Sequence, residues 1–260
     1  MLWPVWRVRL SQGNSAADCG EYNILPMVVL ALETVTPSGS LALARDGHVV
    51  STDGGTGTPH AARLPQALVD WLGEHGLSLE DVDRLAVVSG PGSFTGVRIG
   101  MACAQGLAAT RGWQVAAVST LDAVAEGWRM TAADRSPCTV LACLDGMRGE
   151  VFTAAYWWDG HRLALVREPE VAFPLAETIA ACTPPVHVVG NGATRYAEIW
   201  LAAGVTHVSD VFEPLAASAA RLAASPEWPL SAPHALRPVY VRRPDVELAR
   251  DRRVVTSKDQ

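Results

Sequence analysis

The sequence has a single lysine, Lys258, which stands in a charged segment near the end of the chain. It contains no P-loop pattern, so a nucleotide site that depends on a P-loop lysine is excluded, as is catalysis through a lysine Schiff base. The 260 residues carry 21 Lys and Arg against 27 Asp and Glu, a formal net charge of −6. An acidic balance of this size argues against binding nucleic acid by charge alone.

Long hydrophobic runs and paired cysteines are also missing. No apolar run approaches the roughly 20 residues that a membrane helix needs, and Arg7 and Arg9 interrupt the apolar start that would suggest a signal peptide. The 5 cysteines are odd in number and no two have C-x-x-C spacing, which indicates reduced thiols. We therefore expect a cytoplasmic protein that does not contact the membrane.

What is present is a hydrophobic content of 49%, enough for a sizeable core. From Met27 onward, short apolar strands alternate with segments of helical period, which predicts an α/β fold. Residues 1–26 lack this periodicity. They are either a loose extension, with Met27 as the natural start, or a short docking arm that uses Trp3 and Trp6.

The chain has two halves that open alike. A buried strand ends in Glu33 in the first half and in Asp145 in the second, and each acid is followed by a polar turn and a hairpin. This order predicts a duplicated β-β-β-α-β-α unit. The expected segments are an irregular extension over 1–26, lobes over 27–135 and 136–245, and a charged tail over 246–260.

The segment Ser89–Gly100 reads SGPGSFTGVRIG. A buried strand ends, the backbone turns on two glycines, and Ser93 or Thr95 can cap the helix that follows. Glycines before a helix either cradle a phosphate or make a plain tight turn. Both interpretations stay open at the level of sequence.

The predicted helix Gly96–Ala109 is apolar almost all round. Its small residues Gly96, Gly100 and Ala104 share one row, and only Arg98 and Gln105 form a polar stripe. A helix of this kind is buried on more than one side. It is either a central helix of one domain or part of a subunit interface.

These segments carry a family resemblance. SGPGSFTGVRIG, with VLALETVTPSGSLAL before it and LDGMRGEVF after it, resembles the bacterial TsaB family, also called YeaZ, and the likeness runs from Met27 to about Asp245. The resemblance implies the ASKHA fold of actin, sugar kinases and Hsp70, which has two similar α/β lobes. It also implies a role in making N6-threonylcarbamoyladenosine in tRNAs that read codons starting with A.

In that family the chain is a non-catalytic scaffold that binds and activates TsaD, a catalytic paralogue. The resemblance also implies a TsaE-like ATPase as a further partner, a homodimer in isolation, and contact with tRNA through the complex. The alternative is an ASKHA-type ATPase or phosphotransferase with its own nucleotide site. We expect no cofactor, although weak nucleotide binding stays open.

Two sets of candidate residues follow. The expected partner-binding residues lie on two helices: Leu64, Leu68, Gly96, Val97, Arg98, Gly100, Met101, Ala104 and Gln105. Remnants of a nucleotide site are expected at strand ends and turns: Glu33, Thr34, Ser38, Asp145, Gly190, Asn191 and Gly192. Gly190–Gly192 is either an adenine contact or a helix start.

A metal site is not expected. Catalytic paralogues bind a metal through two histidines four residues apart, whereas none of the 7 histidines here has a partner at that spacing. His60 begins the corresponding region, but Leu64 stands where the second ligand would be. One histidine alone cannot organise a metal site, so we also expect no catalytic residues.

A variant that begins at Met27 tests the interpretation of the extension. We expect its melting temperature and its partner binding to equal those of the full chain, because the periodic pattern begins at Met27. Thermal melts and pull-downs provide the measurements. A melting temperature lower by many degrees would show that Trp3 and Trp6 pack on the folded chain.

Overall fold

The structure is a computed structural model that describes residues 27–53, 64–174, 176–211 and 214–242. The predicted extension over 1–26 and the tail over 246–260 lie outside the described residues. The strands are β1 (Val28–Glu33), β2 (Ser40–Arg45), β3 (His48–Asp53), β4 (Arg84–Val88), β5 (Val115–Val118), β6 (Cys138–Met147), β7 (Glu150–Trp158), β8 (Leu163–Ala172), β9 (Val186–Val189), β10 (His207–Ser209) and β11 (Leu230–Ser231).

The α-helices connect these strands on both faces of the sheets. They are α1 (Leu64–Glu74), α2 (Phe94–Arg111), α3 (Thr120–Thr131), α4 (Ala176–Ala180), α5 (Asn191–Arg195), α6 (Ala197–Ala202) and α7 (Leu215–Ala224), with a short 3-10 helix at Pro233–Ala235. Within the described ranges, no helix is both long enough and apolar enough to cross a membrane.

Two mixed sheets repeat one topology. The first has the order β11-β5-β4-β1-β2-β3 and the second the order β10-β9-β6-β7-β8. In each, an antiparallel three-strand meander is followed by two parallel strands on the other side of its first strand. The predicted duplication is therefore confirmed, and with it the two-lobed ASKHA fold.

Helices pack against the central strands of both sheets. All six residues of β1 are buried, because α7 and α2 both pack on the first sheet around this strand. On the second sheet, α3 and α5 both contact β6. Since α3 and α7 also contact each other, the two helices join the lobes.

The junction of α3 and α7 is close and carries charge. A Cβ built at Gly127 would lie 2.5 Å from the Cγ1 atom of Val211 and 3.2 Å from the Ser218 hydroxyl. The residue before Gly127 is the buried Glu126, whose carboxylate accepts two hydrogen bonds from Arg129 of the same helix at 2.6 and 2.7 Å. Arg221 of α7 lies 3.6 Å from the same carboxylate, and this ion pair bridges the two helices.

The lobes are not strictly sequential along the chain. Both α7 and β11 fall within 136–245, which the sequence analysis assigned to the second lobe, yet they pack on or pair with strands of the first sheet. A two-residue strand such as β11 carries too little periodicity to be predicted. The periodicity of α7 predicts a helix but does not indicate which sheet the helix packs on. The lobe limits at 135 and 136 themselves stay a prediction.

Two glycine-to-alanine variants test the close contact at Gly127. We expect Gly127→Ala to lower stability by about 1–3 kcal/mol, because the new methyl overpacks the α3–α7 junction. Gly106→Ala is the matched control, since Gly106 lies in α2 with no atom within 4 Å of its Cβ direction. It should raise stability by about 0.5–1 kcal/mol through helix propensity. Chemical denaturation measures both, and equal effects would contradict the packing.

Candidate functional site

The glycine-rich turn after β4 packs against a distant segment of the chain. The Val239 amide donates to the Ser89 carbonyl at 2.8 Å, and a Cβ built at Gly90 would lie 2.7 Å from the Val239 carbonyl oxygen. Gly90 also has a φ of +101°, which side-chain-bearing residues rarely adopt. These contacts support a tight turn built for close packing, the plainer of the two interpretations.

The start of α2 lies directly on the end of β1. Ser93 caps the helix by accepting from the Gly96 amide at 3.2 Å, and the Thr34 hydroxyl donates to the Gly96 carbonyl at 2.7 Å. A Cβ at Gly96 would overlap the Thr34 carbonyl, and one at Gly100 would overlap the Thr34 hydroxyl. Glycine at both positions is therefore required by the close approach of helix and strand.

The structure buries most of the predicted partner-binding residues. Seven of the nine residues belong to the chain's own buried core: Leu64, Leu68, Gly96, Val97, Gly100, Met101 and Ala104. Arg98 is exposed and Gln105 is half-buried. The small row faces inward because it covers the end of β1, where Gly96 and Gly100 lie against Thr34.

The outward side of α2 is a strip of small and polar residues. We call Arg98, Ala102, Gly106 and Ala109, which are exposed, together with Gln105, the exposed strip. Their spacing of three and four residues places them on one helix face. The sequence carries a signal for this strip, since Ala102 and Gly106 repeat at the same four-residue spacing as the inward row. They lie two positions after Gly100 and Ala104 of that row.

The first predicted acid, Glu33, is engaged within its own turn. Its carboxylate accepts from the Thr36 amide at 2.6 Å, the Thr36 hydroxyl at 3.0 Å and the Ser40 hydroxyl at 2.9 Å. The Ser40 hydroxyl in turn accepts from the Ala216 amide at 3.2 Å, at the start of α7. Glu33 is only 3% exposed, so its role in these contacts is to hold the turn against α7.

The second predicted acid, Asp145, is held by an arginine and a tyrosine. Arg195 lies 3.3 Å from one carboxylate oxygen, while the other accepts from the Met147 amide at 3.0 Å and lies 3.5 Å from the Tyr196 hydroxyl. The Asp145 amide donates to the Asn191 side chain at 2.9 Å. This acid therefore fixes the start of α5 to the end of β6.

The glycines of Gly190–Gly192 are explained by the same junction. A Cβ at Gly190 would overlap the Cys143 carbonyl, and one at Gly192 would lie 2.7 Å from the Cys143 sulfur. The segment leads into α5, as the helix-start interpretation predicted. Packing accounts for both glycines.

A cleft of about 310 Å³ lies between the lobes. Four of the predicted nucleotide-site residues line it, namely Glu33, Ser38, Gly190 and Asn191, whereas Thr34, Asp145 and Gly192 do not. Asp210 and the apolar Val124, Leu144, Val211 and Leu215 are lining residues that sequence reasoning missed. Among the described lining residues, the charged side chains are Glu33 and Asp210.

Histidine and cysteine side chains are the other potential metal ligands and nucleophiles of the chain. Among the described residues, no three of His, Cys, Asp and Glu are grouped to hold a metal ion. His60 lies outside the described residues, while Leu64 is buried in the core. Burial raises the pKa of Cys103 and of Cys138 to about 11, so both thiols are protonated at neutral pH and are poor nucleophiles.

Comparison with known proteins identifies relatives of this chain. A family model described as TsaD, tRNA N6-adenosine threonylcarbamoyltransferase, matches residues 54–228, more than half of the chain. The tRNA threonylcarbamoyladenosine biosynthesis protein TsaB of Escherichia coli K12 is 40% identical over 152 residues, 56% of this chain and 64% of that protein. The structure of YeaZ from Pseudomonas aeruginosa is 27% identical, with a TM-score of 0.65, over 82% of this chain and 99% of that one. The chain belongs to the TsaB (YeaZ) family.

The extent of the likeness differs among relatives of the family. The match to the Escherichia coli TsaB spans less than two thirds of that protein's length. An uncharacterized protein of Mycobacterium tuberculosis H37Rv is 31% identical over 225 residues, which cover 84% of this chain and 93% of that protein. The family resemblance is therefore confirmed.

Gly100→Leu tests the inward orientation of the small row. We expect a loss of about 1–3 kcal/mol in stability, since the side chain must displace Thr34. Ala102→Leu is the control, because Ala102 is exposed on the same helix. Thermal or chemical unfolding measures both variants, and an unchanged stability of Gly100→Leu would contradict the observed packing.

Proposed function

We propose that this chain is a non-catalytic subunit that binds and activates a TsaD-like paralogue in the formation of N6-threonylcarbamoyladenosine in tRNAs reading codons that start with A. Relatives from Escherichia coli, Haemophilus influenzae and Bacillus subtilis bear the name of biosynthesis proteins for this modification. One observation carries the non-catalytic part of the proposal. Both acids that an ASKHA enzyme would use, Glu33 and Asp145, are bound by groups of the chain itself.

The exposed strip is the surface that we assign to the partner. Its alanines and Gly106 would let a second helix approach closely, while Arg98 and Gln105 supply polar contacts at its edge. A recess of about 660 Å³ continues the strip at Gln105 and Ala109, and Trp113 and His234 line its far side. An apolar side chain of the partner, inserted beside the indole, would anchor the helices there.

The same surface accounts for the other expected assemblies. Paralogues of one fold present similar helices, so a homodimer and the heterodimer with the TsaD-like subunit would compete for the exposed strip. The TsaE-like ATPase and tRNA would then join through the assembled pair. With its net charge of −6, this chain is a poor candidate for holding tRNA by itself.

A substitution on the exposed strip tests the partner surface. We expect Ala102→Arg to raise the dissociation constant for the same organism's TsaD-like protein at least about tenfold, a loss of about 1.4 kcal/mol, without lowering the melting temperature. The matched control is Ala202→Arg, an exposed alanine at the end of α6 in the second lobe. Titration calorimetry or pull-downs provide the measurement. Equal binding by both variants would place the interface elsewhere.

The alternative function, an ATPase or phosphotransferase, makes the opposite prediction about turnover. We expect the isolated chain to show no ATP hydrolysis or phosphoryl transfer above background. We expect tRNA modification by the TsaD-like protein to fall to background when this chain is omitted. Robust turnover that disappears in Glu33→Ala would overturn the scaffold proposal, provided that the variant has a normal melting curve.

A further inference from the structure

The two lobes are joined first at the contact between α3 and α7. Gly127 lies there, with Glu126 and Arg221 as the ion pair that bridges the helices. Closure of two lobes about the place where they are joined is a common motion in proteins.

A second connection is made by the segment Val239–Arg242, which runs from one lobe to the other. At the first lobe, the Val239 amide bonds to Ser89, and the Tyr240 hydroxyl accepts from the Nε atom of Arg98 at 3.1 Å. The rings of Tyr240 and Phe94 lie 5.2 Å apart, and the Arg98 guanidinium lies 3.9 Å from the Phe94 ring centre.

At the second lobe, the same segment forms hydrogen bonds on both sides of the turn between β6 and β7. The Nη1 atom of Arg242 donates to the Gly146 carbonyl at 2.8 Å and to the Glu150 carboxylate at 2.8 Å. Its guanidinium also lies 5.5 Å from the ring centre of Phe152. Three residues of this four-residue segment therefore connect the turn after β4 and the start of α2 with the turn after β6.

The start of α3 contacts the turn after β4, well away from Gly127. The Thr120 amide, at the first residue of α3, donates to the Gly90 carbonyl at 2.8 Å, in the turn that Val239 covers. Gly127 is seven residues further along, or about 10 Å at the rise of an α-helix. Contacts at two separated points remove the rotation that a single contact allows.

We propose that Val239–Arg242 is a latch that fixes the angle between the lobes, and that its Arg242–Glu150 end is the part that releases. The side chains of Arg242 and Glu150 are 27% and 26% exposed, so water reaches the ion pair and competes with it. The other end is held by a backbone hydrogen bond and two aromatic rings. The latch thus sets the width of the interlobe cleft through the chain's own residues.

Hydrogen exchange read by mass spectrometry tests the latch on the full-length chain. In Arg242→Ala we expect faster exchange at the turn that Arg242 contacts and, several-fold, at the amides of residues 36 and 38–40, which line the cleft on the first lobe. The Gly39 amide, for example, donates to the Thr36 hydroxyl. These residues belong to the first lobe, whereas Arg242 bonds to the second, so faster exchange there indicates that the cleft has opened.

Arg237→Ala is the matched control. Arg237 lies two residues before the latch, and among the described residues its guanidinium donates to the nearby carbonyls of His234 and Leu236, at 2.8 and 2.9 Å. We expect its cleft amides to exchange at the rate of the unchanged chain. If Arg237→Ala accelerates them as much as Arg242→Ala does, the effect belongs to the segment's general order and the latch is wrong.

Glu150→Gln keeps the test decisive if Arg242→Ala does not fold. It removes the charge of the releasable end and keeps the shape, so the same cleft amides should exchange faster, by a smaller factor. Acceleration confined to residues 145–151 in the variants would mean a local contact and would overturn the proposal. An unchanged exchange pattern in Glu150→Gln and in a folded Arg242→Ala would overturn it as well.

Discussion

The arrangement of the first lobe depends on the contact between Thr34, at the end of β1, and the glycines of α2. The Thr34 hydroxyl bonds to the Gly96 carbonyl, and neither Gly96 nor Gly100 has a side chain to keep the helix away. A helix held at backbone distance from a strand leaves no room for adjustment, since protein interiors are close-packed. The preceding turn is thereby placed where Val239 can bond to Ser89.

The same strand end also orients α7. Glu33, at the end of β1, accepts a hydrogen bond from the Ser40 hydroxyl, which in turn accepts from the Ala216 amide in the first turn of α7. A carboxylate that accepts three hydrogen bonds in a buried turn is costly to disturb, because its partners would be left unsatisfied. The acid that an enzyme of this fold would use for chemistry is here part of the packing between the end of β1 and α7.

The sequence predicted the elements well because most strands are buried runs bounded by turn residues. It also predicted that α2 is surrounded, from apolar residues on nearly every side. It could not predict which side of α2 faces solvent, since a row of glycine and alanine fits an adjacent strand as well as a second helix. The deciding bond joins Thr34 to Gly96, 62 residues away, and no local pattern reports it. Likewise, β11 has two residues, too few for any period.

The candidate site shows the same limit for charged residues. An acid at the end of a buried strand is typical of catalytic lobes, and Glu33 and Asp145 both have that place in the sequence. Whether such a carboxylate is free depends on residues far along the chain, as Arg195 and Tyr196 are from Asp145. Position in the sequence thus predicts where an acid lies, and its bonding partners decide what it can do. Here the partners bind both acids into the fold.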